Sequence, residues 1–117
     1  MWIISKKRLK EFWEQPGRED ARGPLEDWHT VVGAAEWQNF GDLRRTYGSA
    51  DVVGDCVVFN IAGNKYRLVV RLRYRSHKVF ILKVMTHAEY DRGRWVEQCG
   101  CFTEDPRGRI PSRRNPN

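Results

Sequence analysis

Between Asp55 and Glu89 the chain carries no acidic residue, while Lys65, Arg67, Arg71, Arg73, Arg75, Lys78 and Lys83 place seven positive charges in the same stretch. From Lys65 to Arg75 the residues alternate. Tyr66, Leu68, Val70, Leu72 and Tyr74 fall on one side, and Lys65, Arg67, Arg71, Arg73 and Arg75 on the other, with Val69 the exception. Successive strand side chains face opposite sides of a sheet, so the pattern predicts a strand with a buried apolar face and a basic face. Cations two residues apart in such a row suit phosphate oxygens. Downstream, Thr86-His87-Ala88-Glu89-Tyr90-Asp91 has a capping residue followed three positions later by Glu, which predicts a helix start. His87 and Tyr90 then share a face of that helix, and histidine is the side-chain type best matched to proton transfer near neutral pH.

Each of these residues has a plainer explanation. The strand arginines could be only a solvated face. His87 could bond a backbone carbonyl where its helix begins, and Tyr90 could pack with its hydroxyl at the surface. His77 reads as a solvated turn residue, and His29 faces outward between Trp28 and Thr30. Asn60 and Asn64 fit turn and strand-end geometry, with Asn64 also placed to meet a phosphate.

The 117 residues hold 21 Lys and Arg against 15 Asp and Glu, a net charge of +6, so everything outside the basic stretch sums to −1. The charge is a local property, and it favours a polyanionic partner over a membrane because it lies on a strand rather than on an amphipathic helix. The length predicts one domain. Trp2 to Ile4 is too short an apolar run for a leader or a span, and a cytoplasmic location is the expectation. Cys56, Cys99 and Cys101 are an odd set without such a leader, which predicts free thiols, and Cys99-Gly-Cys101 lacks a second ligand pair for a metal.

The elements that must position the basic strand follow from periodicity. Trp2 to Ser5 reads as a short strand, and Lys6 to Gln15 as a helix with Leu9, Phe12 and Trp13 on its apolar stripe. Pro16-Gly17 ends it. A second helix opens near Glu19 or Pro24 and runs through Trp28, Val31, Val32 and Ala35. Leu43 to Tyr47 gives one more helical turn. Asp51 to Ile61 is strand, Ala62-Gly63-Asn64 a turn, and Ser76-His77 a tight hairpin loop. Lys78 to Val84 is the next strand, with Phe80, Leu82 and Val84 on one side. The result is a meander with two helices against its apolar face. From Arg92 the apolar pattern fades, and Arg107 to Asn117 reads as a flexible basic tail.

The segments VFNIAGNKYRLVV and VMTHAEYD resemble the HigB-type toxins of bacterial type II toxin–antitoxin systems, members of the RelE superfamily. The resemblance covers residues 1–92 and leaves 93–117 as a C-terminal extension, expected to be partly flexible. It implies an α+β, RelE-like fold with two N-terminal helices packed on a small antiparallel β-sheet and a short C-terminal helix. The implied activity is that of an mRNA interferase cleaving translated mRNA on the ribosome, metal-independent and without a cofactor. The implied partners are mRNA, the ribosomal A site and a cognate HigA-type helix-turn-helix antitoxin, through which operator DNA is reached indirectly. A related branch poisons DNA gyrase, and a non-catalytic RNA-binding module would show a similar composition. Metal-free RNA cleavage needs a base for the 2′-hydroxyl, positive charge at the phosphate and an acid for the 5′-oxygen. The family motif matches at His87, Tyr90 and Asp91, which with Lys65 and Arg67 form the expected catalytic set. Arg71, Arg73, Lys83 and Asn64 are the expected RNA contacts, although Arg71 and Arg73 would equally suit acidic residues of the antitoxin.

Overall fold

The computed structural model describes residues 1–102, so the basic tail expected over 107–117 lies outside the described residues. Trp2–Ile4 forms β1, and Lys6–Trp13 forms α1 with Leu9, Phe12 and Trp13 buried as their spacing predicts. A 3₁₀ turn, Glu19–Ala21, leads into α2, Arg22–Ala34. The buried stripe of α2 is Leu25, Trp28 and Val32, whereas Val31, expected on that stripe, is exposed. The turn explains the rotation. Ala21 is fully buried and starts the apolar row four residues before Leu25. Phe40–Thr46 forms α3, where the Asn39 side chain accepts from the Asp42 N–H at 2.9 Å.

Asp51–Val53 (β2), Cys56–Ile61 (β3), Tyr66–Arg73 (β4) and Lys78–Thr86 (β5) complete a five-stranded sheet in the order β1-β5-β4-β3-β2. The fold is α+β. β2 to β5 pair antiparallel, but β1 pairs parallel with β5, so the sheet is mixed rather than wholly antiparallel. The helices carry the chain from β1 to β2 at the far edge of the sheet, and three antiparallel connections then bring β5 back beside β1.

Tyr66, Leu68, Val70 and Leu72 of β4 join Val57, Phe59 and Ile61 of β3 and the buried stripes of α1 and α2 in one core, as the alternation predicts. β5 departs from its expected pattern. Val79, Ile81 and Val84 enter this core, not Phe80, Leu82 and Val84 together. Val69 and Val70 face Lys83 and Ile81, so Leu82 is an extra residue and the alternation shifts by one across the bulge.

The opposite face of the sheet is only partly the open basic surface that the alternation predicts. Val69 lies there with Cys56, Val58, Met85, Trp95 and Cys101 in a second core. It is packed against α4, His87–Arg92, and α5, Trp95–Gln98. Trp95 is 4% exposed, although it stands where the sequence pattern fades. A four-residue helix is too short to show a period. Cys56 and Cys101 are joined in a disulfide across 45 residues, which corrects the free-thiol expectation for both and leaves Cys99 as the free cysteine among the described residues. Their 5.2 Å Cα separation is produced by the return of the chain after α5, which nothing local in the sequence announces. Among the described residues, no helix is long and apolar enough to cross a membrane.

Candidate active site

The register of β4 on β5 sets Tyr66 opposite Thr86 and so brings Lys65 beside the first residue of α4. The His87 N–H donates to the Lys65 carbonyl at 3.1 Å. Thr86 caps α4. The Glu89 N–H donates to Thr86 Oγ1 at 3.2 Å and the Thr86 N–H to Glu89 Oε1 at 3.0 Å, completing the capping box that the sequence predicts. Gly93 closes the helix at φ +76°, a left-handed conformation that a side chain would resist.

On this short helix His87 Nδ1 lies 3.0 Å from Asp91 Oδ2. With Nδ1–H donating to the carboxylate, Nε2 is the ring nitrogen left for a substrate. Both side chains are open to solvent. The Arg67 guanidinium sits 5.2 Å from the centroid of the Tyr90 ring, and the Trp95 ring stacks on Tyr90 at 5.1 Å and 16°. The Trp95 indole N–H donates to the Tyr90 carbonyl at 3.0 Å. Tyr90 is thereby fixed from two sides of its environment.

Arg67 differs from the solvated cation that the alternation predicts, because it is 7% exposed. Its Nη1 donates to the Asn64 and Tyr66 carbonyls at 3.1 and 3.2 Å, and its Nη2 to Asn64 Oδ1 at 2.6 Å. The turn before β4 and the Tyr90 ring enclose the guanidinium, whose fork of donors satisfies the carbonyls around it.

Lys65 remains exposed in that turn and pairs with Asp20. The Tyr66 hydroxyl donates to the other oxygen of the same carboxylate at 2.6 Å. The hydrogen bond from Lys65 holds Asp20 below the usual carboxylate range, and the Asp20 carboxylate holds Lys65 above the usual lysine range. Burial, then the bond to Asp20, pushes the Tyr66 phenol up. Asp20 is a part of the site that the sequence does not reveal. It lies 46 residues from Tyr66, in a turn with no motif of its own.

The other expected contacts divide. Arg71 Nη2 donates to the Cys99 and Gly100 carbonyls at 3.2 and 2.9 Å, and Lys83 Nζ to Gln98 Oε1 at 2.9 Å. Both hold the segment after α4. Arg73 is exposed at the far end of β4, opposite Lys78. Asn64, Lys65, Arg67, His87, Tyr90 and Asp91 therefore gather at one end of the sheet, while Arg71, Arg73 and Lys83 extend away from it. The gathered set brings together a histidine paired with a carboxylate, an exposed lysine and a phenol held by its neighbours, groups of the types that acid–base chemistry at a phosphodiester requires.

Residues 21–93, which hold all of this cluster, match the HigB_toxin family, the RelE-like toxic component of a toxin–antitoxin system. Asp20 stands immediately before the matched span. The mRNA interferase toxin HigB of Escherichia coli strain K12 is 50% identical over 94 residues, which cover 78% of this chain and 88% of that protein. The mRNA interferase HigB proteins of Escherichia coli O157:H7 and Shigella flexneri are 50% identical over the same length. The chain belongs to the HigB toxin family.

Proposed function

We propose that this chain is the toxin of a type II toxin–antitoxin pair and acts as an mRNA interferase, an endoribonuclease whose cutting of mRNA stops translation and growth. The observation that carries this reading is the His87–Asp91 pair, at 3.0 Å, set beside Lys65 in a chain 50% identical to a protein named for that activity.

In the proposed step His87 Nε2 takes the proton of a 2′-hydroxyl while Asp91 holds the ring in the required tautomer. The 2′-oxygen bonds to the adjacent phosphorus, the bond from phosphorus to the 5′-oxygen breaks, and the Tyr90 hydroxyl protonates the departing oxygen. A cyclic phosphate and a free 5′-hydroxyl result, and proton exchange with water restores both side chains. Lys65 offsets charge on the phosphate, and Arg67 keeps Tyr90 in place while adding to the local positive field. Each task has a protein side chain, so the route needs no metal and no cofactor. A binding-only module, or a gyrase-directed one, has no use for the proton-transfer pair.

Residues 1–92 make up the toxin domain and 93–117 the extension. The partners are mRNA presented in the ribosomal A site, in the cytoplasm, and a cognate HigA-type helix-turn-helix antitoxin that links the toxin to operator DNA. Incubating purified wild type and His87→Ala with translating ribosomes tests the reading. Wild type is expected to leave fragments ending in a cyclic phosphate, and His87→Ala to cut at least 100-fold more slowly. Equal cutting by a folded His87→Ala contradicts the mechanism.

A further inference from the structure

The strap from Trp95 to Cys101 covers only part of the sheet's second face. It is fastened by the Cys56–Cys101 disulfide and by Arg71, whose Nη2 donates to the Cys99 and Gly100 carbonyls. Past Arg71, toward the turn between β4 and β5, Arg73 and Lys78 are exposed. Trp2, on the neighbouring β1, is 71% exposed, more than any other large apolar side chain among the described residues.

The register gathers these three side chains. Trp2 pairs with Lys78 between β1 and β5, and Lys78 pairs with Arg73 between β5 and β4. Their chain neighbours Ile3, Val79 and Leu72 turn toward the main core, so Trp2, Lys78 and Arg73 stand in one row on the opposite face. Adjacent strands lie about 4.8 Å apart, so the whole row spans about 10 Å of backbone. Phe80, two residues on from Lys78, is half-buried on the same face. β1, β4 and β5 carry no acidic residue, and Lys6, Lys7 and Arg8 follow β1 at the start of α1.

A row of cations alone would be an ordinary solvated face. The open indole is what sets this row apart, because a ring free on one side is a surface on which a base can stack. Exposed aromatics beside cations on a sheet suit single-stranded RNA, whose bases meet the rings and whose phosphates meet the charges. Along β5 the row lies roughly 26 Å from Thr86, where α4 begins. It would therefore meet RNA several nucleotides from the bond being cut.

We propose that Trp2, Lys78 and Arg73 form a second RNA contact, with Trp2 stacked on a base remote from the scissile phosphate and the two cations on the phosphates beside it. The inference rests on the nuclease reading.

The test measures binding of a fluorescent single-stranded RNA dodecanucleotide by full-length His87→Ala across a salt series. In that background Trp2→Ala, Trp2→Leu, Trp2→Phe and the pair Arg73→Ala with Lys78→Ala are compared, and circular dichroism checks that each is folded. Trp2→Ala and Trp2→Leu are expected to bind about tenfold more weakly with an unchanged salt slope, and Trp2→Phe, which keeps a flat ring, to bind nearly as the parent does. The cation pair should make the log–log slope shallower by about 1.4, from two phosphates at about 0.7 each. Unchanged affinity in Trp2→Ala, or an unchanged slope in the cation pair, overturns the contact; it leaves this face to a protein partner and the nuclease reading standing. No binding by the parent protein also overturns the contact, and cleavage on translating ribosomes then decides the nuclease reading by itself.

Discussion

Lys65, in the turn before β4, and Arg67, on β4, are two residues apart and sit in opposite surroundings. Arg67 is buried, and three acceptors surround its guanidinium. Removing it leaves those acceptors without a donor, so Arg67→Ala is expected to lower stability by about 2–3 kcal/mol in urea unfolding. Arg67→Lys should restore little, because an ammonium cannot span the same acceptors. Lys65 is exposed, so Lys65→Ala should leave stability within about 0.5 kcal/mol while weakening RNA binding and flattening its salt dependence. Unchanged salt slopes for Lys65→Ala would remove it from the phosphate site. The Asp20–Lys65 pair sets a pH window. A depressed carboxylate contributes stability above its unfolded pKa and loses it as pH falls through the folded value. A raised lysine contributes below its unfolded pKa and loses it as pH rises through the folded one. The pair is thus intact across neutrality, and carbon-13 NMR should find Asp20 titrating below the usual carboxylate range, returning to it in Lys65→Ala. Asp20→Asn should free the Lys65 ammonium and not weaken RNA binding, because it removes a negative charge beside Lys65.

At the scale of elements, the apolar face of β4 was legible because Tyr66, Leu68, Val70 and Leu72 keep the period of a strand without interruption. The capping box at Thr86 was legible because it is written within four residues. The bulge at Leu82 was not, since an inserted residue leaves no mark in a run that is apolar on both sides. The strap was not legible either. Its one large apolar residue, Trp95, finds its partners on β3, β4 and β5, far away in sequence. Two consequences are measurable. Trp95→Ala should cost about 3–5 kcal/mol, since it empties the second core and frees Tyr90. Reducing the Cys56–Cys101 bond, which closes a loop across 45 residues, should cost about 2–4 kcal/mol and lower the midpoint of thermal unfolding. A midpoint unmoved by a thiol reductant would show that the strap is held by its hydrogen bonds and packing alone.

For the whole molecule, the sheet separates two tasks. One face meets α1 and α2 and carries the main core, while the other presents the end of β4 and α4 where the His87–Asp91 pair stands. That Lys65 and Arg67 come to lie beside His87 and Tyr90 was legible from the unbroken run of cations and the downstream helix motif. The division of labour within the run was not, because it depends on Asp20, Asn64 and the strap, which reach Lys65, Arg67 and Arg71 through the fold rather than through the sequence. The central claim is that this arrangement cuts RNA at His87. Inducing wild type and His87→Ala in cells and mapping RNA 5′ ends tests it most directly. The mechanism predicts growth arrest with new internal mRNA ends for wild type, and neither for a folded His87→Ala. Arrest without new ends, or the same ends from His87→Ala, would contradict it.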